Sequence, residues 1–125
     1  MIHGDIKPDN IFLTKLYDVR LADFSLSQVC TEDYIEINDI CGTPRYVAPE
    51  YINTEYDEES QKEIATVNQK VDYWALGAVW YEMVTGKQAF PQEDRADIFS
   101  AITNGKIELQ PTTNENFLKI INGLL

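Results

Sequence analysis

Four polar residues near the start of the chain have the types and spacing that a phosphoryl-transfer site needs. Asp5, Lys7 and Asn10 lie in the string His3-Gly-Asp-Ile-Lys-Pro-Asp-Asn10, and Asp23 follows after two short β-prone runs. Phosphoryl transfer requires a carboxylate that holds the attacking hydroxyl, a cation near the transferred phosphate, and oxygen ligands for Mg²⁺. The first string supplies a carboxylate, a cation and an amide oxygen, and Asp23 adds a hard carboxylate ligand. The pattern therefore indicates chemistry on a phosphate.

Three short strings occur in a set order, namely His3–Asn10, Asp23-Phe-Ser25 and Ala48-Pro-Glu50. They resemble the H-R-D-x-K-x-x-N catalytic loop, the D-F-G and the A-P-E of eukaryotic-type protein kinases. Two longer strings, Cys41–Glu50 and Val71–Gly77, agree with this, since the second is similar to the D-x-W-x-x-G that opens the central helix of that family. The resemblance covers nearly the whole chain, and an ordered set of motifs is far more specific than one match.

The resemblance implies a role for each matching residue. Asp5 would be the catalytic base that orients the substrate hydroxyl, and Lys7 would serve both catalysis and ATP binding in the serine/threonine form of the loop. Asn10 and Asp23 would hold the Mg²⁺ ions that bridge the phosphates of ATP. Three more residues would have substrate-binding or structural roles: Thr43 by contacting Asp5 and Lys7, Glu50 in the A-P-E, and Asp72 by bracing the catalytic loop.

The chain departs from the family's pattern at two positions near the site. Gly4 replaces an arginine that in many kinases clamps an activation-loop phosphate, and Ser25 replaces the glycine of D-F-G. Serine costs nothing at a negative φ but on the order of 1 kcal/mol at a positive one. The stretch from Glu50 to Asp72 is also long for the family, with residues 55–63 as the apparent insertion.

Apolar patterning predicts the elements that position these residues. Runs 11–13 and 19–21 predict a β-hairpin. Residues 74–84 are apolar on every side, which predicts a helix buried all round that ends at Gly86. The acidic stretch 55–63 is typical of a solvated loop or an exposed helix turn.

Two further helices are predicted near the C-terminus. One covers Asp94–Thr103, and the other follows the capping-box pattern Thr112-x-x-Glu115, with Phe117, Ile120, Ile121 and Leu124 on one face. The expected fold class is α+β and protein-kinase-like, a mainly α-helical C-lobe with a short hairpin near the N-terminus and the N-lobe absent. One partial kinase domain would span residues 1–125, comprising the catalytic loop 3–10, D-F-S 23–25, the activation segment 23–50, the insertion 55–63 and the helical C-lobe 72–125.

Composition disfavours several other classes of protein. Ten Lys and Arg against twenty-one Asp and Glu leave a net charge of −11, which disfavours nucleic acid and anionic membranes as partners. The longest mostly apolar stretch, Trp74–Tyr81, is too short to span a bilayer. Residues 1–5 have neither a basic nor an apolar region, so we expect no secretion. We expect an intracellular, cytoplasmic protein in which Cys30 and Cys41 are free thiols, although sequence alone leaves a disulfide between them open. The oligomeric state is left open.

The leading interpretation is a serine/threonine protein kinase that transfers the γ-phosphate of ATP to protein Ser or Thr hydroxyls. Its cofactors would be ATP and Mg²⁺, and its partner a protein substrate. The Gly-rich loop and the Lys–Glu pair that precede the catalytic loop in the family are not in the chain, so we expect a truncated, inactive fragment. The alternative is a pseudokinase or kinase-lobe scaffold that binds protein partners without catalysis. An acidic interaction protein unrelated to kinases would need every motif to be accidental.

Overall fold

The computed structural model describes residues 1–30, 33–105, 107 and 114–125, apart from the side chains of residues 118 and 122. The strands are β1 (Ile11–Leu13), β2 (Val19–Leu21), β3 (Ile35–Ile37), β4 (Glu55–Asp57) and β5 (Lys62–Val67). The α-helices are α1 (Pro49–Ile52), α2 (Lys70–Thr85), α3 (Arg95–Thr103) and α4 (Glu115–Leu124). Single 3₁₀ turns at Pro8–Asn10 and Pro44–Tyr46 precede β1 and α1.

The predicted hairpin near the N-terminus is confirmed. Strands β1 and β2 pair antiparallel, with Ile11 opposite Leu21 and Leu13 opposite Val19. The hydroxyl of Thr14 accepts hydrogen bonds from the backbone N–H groups of Leu16 and Asp18, which shapes the turn between the strands. Because the hairpin returns the chain to its starting point, it brings the residues after β2 back beside the catalytic loop.

A second sheet, of three antiparallel strands in the order β3-β5-β4, is a feature that the sequence analysis missed. The prediction of a loop or helix turn for residues 55–63 is wrong, because they form β4, a turn and the start of β5. The Asp57 side chain accepts from the backbone N–H groups of Glu59 and Ser60 and so builds this turn. Charged residues conceal the strand pattern, which shows only where Ala65 and Val67 are buried on either side of exposed Thr66.

Helix α2 contributes many of the buried residues, but the prediction that it is buried all round is wrong. Seven of its residues are buried, namely Val71, Trp74, Ala75, Gly77, Ala78, Val79 and Tyr81. Tyr73, Met83 and Val84 are exposed, and Trp80 is partly so. The helix ends as predicted, since Gly86 has a left-handed φ of 68° and its N–H donates to the carbonyl of Glu82.

The core joins the activation segment to the helices. Trp74 of α2 stacks on Phe90, with ring centroids 6.0 Å apart, and both side chains belong to one cluster with Val47, Ile98 and Ile102. Through Val47, this cluster packs the C-terminal part of the activation segment against α2 and α3.

Helix α4 begins after Asn114, whose side chain accepts from the N–H of Asn116. Thr112 of the predicted capping box lies outside the described residues. Of the predicted apolar face, Ile121 is buried and Ile120 is exposed. Among the described residues, no helix is both long and apolar enough to cross a membrane.

Candidate active site

The catalytic loop is anchored to the first turn of α2 by one carboxylate. Asp72 accepts the backbone N–H of His3 at 2.7 Å through Oδ2 and that of Gly4 at 3.1 Å through Oδ1. We expected Asp72 to brace this loop, and the structure shows its bonds to the loop backbone. Charge-assisted bonds to backbone N–H groups are among the stronger hydrogen bonds, so Asp72 fixes the position of the loop relative to α2.

His3 connects this loop to the segment that carries Asp23. Its ring is buried, its Nε2 lies 3.1 Å from the carbonyl of Ala22, and its Nδ1 accepts the N–H of Asp5 at 3.3 Å. The ring also packs edge-on against Phe24, with centroids 4.7 Å apart. A backbone bond of 2.9 Å from the Ala22 N–H to the Asn10 carbonyl adds a second link. These contacts place Asp23 beside the catalytic loop.

The carboxylate of Asp5 is surrounded by hydrogen-bond donors. Oδ1 accepts the backbone N–H of Thr43 at 2.9 Å and its hydroxyl at 2.8 Å. Oδ2 lies 2.9 Å from the Lys7 ammonium and accepts Asn10 Nδ2 at 3.2 Å. Burial by itself raises the pKa of Asp5, but the bonds from Lys7 and Thr43 outweigh it, so the net pKa is lowered. Asp5 is therefore held as an ion at neutral pH.

Lys7 and Thr43 close a triangle with Asp5. Lys7 Nζ donates to Thr43 Oγ1 at 2.8 Å while it pairs with the Asp5 carboxylate. The bond to Asp5 raises the pKa of Lys7, so the ammonium stays charged. We expected Thr43 to contact both residues, and the structure shows those contacts.

Asn10 and Asp23 carry the oxygens that could bind a metal ion. The amide nitrogen of Asn10 donates both to the Asp5 carbonyl at 2.9 Å and to its carboxylate, which leaves Oδ1 available as a ligand. Among the described residues there is no cluster of three or more His, Cys, Asp or Glu that could hold a metal. Mg²⁺, however, is commonly bound through one or two protein oxygens together with phosphate oxygens and water. The pair therefore fits a phosphate-bound Mg²⁺ and does not fit a metal held by protein alone.

Ser25 forms hydrogen bonds to the carboxylate of Asp23. Its hydroxyl donates to Asp23 Oδ1 at 2.7 Å and its backbone N–H to the same atom at 3.3 Å. These two bonds lower the pKa of Asp23. Asp23 itself has a positive φ of 62°, and Ser25 does not. The serine therefore introduces no backbone strain, and its hydroxyl contact was not anticipated from sequence.

Two contacts that were not predicted from the sequence hold the activation segment onto α2 and onto the segment that follows it. The hydroxyl of Tyr46 donates to Glu82 of α2 at 2.8 Å, and Arg45 Nη1 donates to the Phe90 carbonyl at 2.6 Å. Burial and the bond to Glu82 raise the pKa of Tyr46, so its hydroxyl remains a donor. Only the three-dimensional approach of the two segments reveals these pairs. Glu50 lies exposed in the first turn of α1, and no ion pair to it occurs within the described ranges.

The activation segment crosses the catalytic loop at two glycines. Gly4 has a φ of +82° and Gly42 one of +90°, and a Cβ on Gly42 would lie 2.7 Å from the Gly4 carbonyl oxygen. A Cβ on Gly4 would lie 3.0 Å from the carbonyl oxygen of Leu26. A side chain at either position would therefore push the activation segment away from the catalytic loop.

Comparison with known proteins shows the family of the chain. The family model described as "Protein kinase domain" matches residues 1–125. The chain is 32% identical over 126 residues to serine/threonine-protein kinase Sgk1 of Homo sapiens, covering 100% of the chain and 27% of that protein. Identity is also 32% to Sgk1 of Mus musculus, with 27% of that protein covered, and to Sgk1 of Xenopus tropicalis, with 28% covered. The chain thus spans about a quarter of the length of these curated relatives. On the match over its full length, the chain belongs to the protein kinase domain family.

Proposed function

We propose that the protein is a serine/threonine protein kinase and that this chain forms the C-terminal lobe of its catalytic domain. The observation that carries the proposal is the Asp5 carboxylate, which Lys7, Asn10 and Thr43 hold in place from three directions. The relatives at 32% identity are named serine/threonine kinases, which supports the choice of acceptor. The order of the elements, from the catalytic loop through α2 to α4, supports the assignment to the C-lobe.

In this proposal Asp5 orients the acceptor hydroxyl and takes its proton as the oxygen attacks phosphorus. A carboxylate whose pKa is lowered is a weak base, so orientation is its larger contribution. A protein hydroxyl reaches Asp5 by replacing one of the donors that now surround it. Lys7 stays beside Asp5 as a fixed positive charge that stabilises the negative charge developing on the phosphate.

Asn10 and Asp23 would hold Mg²⁺ on the phosphates of ATP. When bound, Mg²⁺-ATP supplies the transferable phosphoryl group and the charge neutralisation that its departure requires. Asp23 contributes one carboxylate whose Oδ1 is held by Ser25, and Asn10 contributes an amide oxygen fixed by the bonds of its nitrogen to Asp5. Thr43 joins the activation segment to Lys7 and thereby places the protein substrate beside the site.

The 125-residue chain on its own is expected to be inactive, because the Gly-rich loop and the Lys–Glu pair that position ATP in the family are not in it. A scaffold function without catalysis is the second candidate. It is favoured by the exposed apolar side chains of the hairpin, which include Phe12, Leu13 and Val19. The two candidates differ in whether the native protein turns over ATP through Asp5.

The test uses the native protein with Mg²⁺, labelled ATP and generic protein acceptors. We expect label on Ser and Thr, a loss of at least about 10²-fold in Asp5→Asn, and no transfer in Asp23→Ala. Asp9→Asn is the matched control, because Asp9 is an exposed aspartate in the same loop, residues 3–10, and its loss should change the rate far less than Asp5→Asn. Transfer that is equal in Asp5→Asn and Asp9→Asn, or its absence in the native protein, would support the scaffold.

A further inference from the structure

We propose that β5 (Lys62–Val67) and β3 pair as a clasp that holds the activation segment in position for a protein substrate without an activating phosphate. This inference rests on the proposed kinase function and adds a mode of regulation to it. The clasp consists of β5 and its partner β3 (Ile35–Ile37), which lies within the activation segment. Its positioning residues are those of the paired register, with Ile35 opposite Val67, Glu36 opposite Thr66 and Ile37 opposite Ala65.

The two strands of the clasp enclose the substrate-facing part of the chain. Strand β3 precedes Thr43 and β5 follows α1, so their pairing closes a loop of chain that contains Thr43, Arg45 and Tyr46. Only residues 38–42 separate β3 from Thr43. At about 3.3–3.6 Å per residue, the chain from Ile37 to Thr43 spans at most about 20 Å, so pairing at β3 limits how far Thr43 can move from that strand. Within this limit, the close approach of Gly42 to Gly4 and the bonds from Thr43 to Asp5 position the Thr43 hydroxyl.

The clasp is also locked into the core from one face. Ile37, Ala65 and Val67 are 8%, 2% and 2% exposed and belong to the same cluster as Val47 and Tyr51 of the activation segment and α1. The opposite face, with Glu36 and Thr66, is exposed. A slip of one residue would turn this apolar face outward, so burial specifies the register.

An arginine that clamps an activation-loop phosphate, and so orders the segment, does not stand in this loop. Position 4 is a glycine with a φ of +82°, where a Cβ would lie 3.0 Å from the Leu26 carbonyl oxygen, so no arginine fork stands there. The guanidinium of Arg45 already donates to the Phe90 carbonyl. Acidic side chains at Asp33, Glu36 and Asp39 would repel a phosphate placed between them. The strand pair supplies the ordering instead.

The exposed pair Glu36 and Thr66 gives a direct test in the native protein, since opposite residues in antiparallel strands interact through their side chains. Thr66→Glu places like charges opposite each other, and Thr66→Lys is the matched control that places opposite charges there. We expect Thr66→Glu to raise KM for protein substrate about two- to fivefold, with KM for ATP unchanged. Thr66→Lys should not raise it, and the charge swap Glu36→Lys with Thr66→Glu should restore the native value.

A stronger perturbation and a second readout accompany the kinetics. Thr66→Pro should raise KM for protein substrate about tenfold or more, because proline is poorly tolerated within a paired strand. Amide hydrogen exchange across residues 33–40 should become faster in Thr66→Glu and return to the native rate in the charge swap. Phosphatase treatment of the native protein should leave its rate unchanged.

The proposal is overturned if Thr66→Glu and Thr66→Lys behave alike in both KM and exchange, or if phosphatase treatment removes most of the activity. Should Thr66→Pro fail to fold, the charge pair alone decides. Should the native protein transfer no phosphate above the Asp5→Asn background, the kinase proposal fails separately. The exchange rates across residues 33–40 then still decide whether the clasp holds the segment.

Discussion

Replacing Asp72 should release the catalytic loop, because its carboxylate is the acceptor for two adjacent backbone N–H groups. Asp72→Ala leaves the N–H groups of His3 and Gly4 without their bonds of 2.7 and 3.1 Å. An orphaned donor costs about 1–3 kcal/mol, and Asp72 is only half-buried, so we take about 1.5 kcal/mol for each and about 3 kcal/mol in all. Because 1.4 kcal/mol is a factor of ten, exchange of these amides should accelerate about 100-fold.

The assay is native-state amide hydrogen exchange on peptides that contain residues 3 and 4, together with the transfer rate of the native protein. Asp72→Asn keeps one acceptor oxygen and should accelerate exchange only about tenfold. Glu58→Ala is the control, because it removes an exposed carboxylate from the turn between β4 and β5. Exchange at residues 3 and 4 that is the same in Asp72→Ala and Glu58→Ala would refute the claim that Asp72 holds the loop.

Three other predictions follow from the site. The lowered pKa of Asp5 means that the unfolded state binds more protons near and below its ordinary pKa of 3.8. The stability due to Asp5 should therefore be complete above that pH and lost as pH falls, and unfolding curves of Asp5→Asn should show a smaller loss of stability from pH 5 to pH 3. Tyr46→Phe removes the bond to Glu82 and should lower the free energy of unfolding by about 1 kcal/mol, whereas an unchanged melting temperature would contradict this. Gly4→Arg should destabilise the protein by about 1–2 kcal/mol through its positive φ and should not create a phosphate clamp, which calorimetry and phosphatase treatment together can check.

The local parts of the site could be predicted because their chemistry depends on short spacing. Asp5, Lys7 and Asn10 lie within one loop, so backbone geometry alone brings their side chains near each other. The link from Thr43 to this loop spans 38 residues and was expected from the family resemblance, since no periodicity indicates it. Their proposed roles in transfer remain predictions that the kinetic tests above address.

The parts that could not be predicted depend on tertiary contacts. Strands β3 and β5 are separated by 24 residues and pair across a segment whose charges suggest solvent exposure. The apolar character of α2 gives no sign of which side is covered, so exposed Met83 and buried Val79 read alike in the sequence. Likewise, the contact of Arg45 with a backbone carbonyl leaves no trace in side-chain types, because any residue supplies a carbonyl.

Because Trp74 stacks on Phe90, its fluorescence should report on the position of the activation segment. Trp74 is 8% exposed, and Phe90 carries the carbonyl that Arg45 binds, so the indole is connected to the activation segment through one ring and one hydrogen bond. Trp80, at 38% exposed, is open to aqueous quenchers. In a Trp80→Phe background the remaining tryptophan emission of this chain would come from Trp74. A red shift or a gain in acrylamide quenching would then signal release of the activation segment in real time and without an attached label.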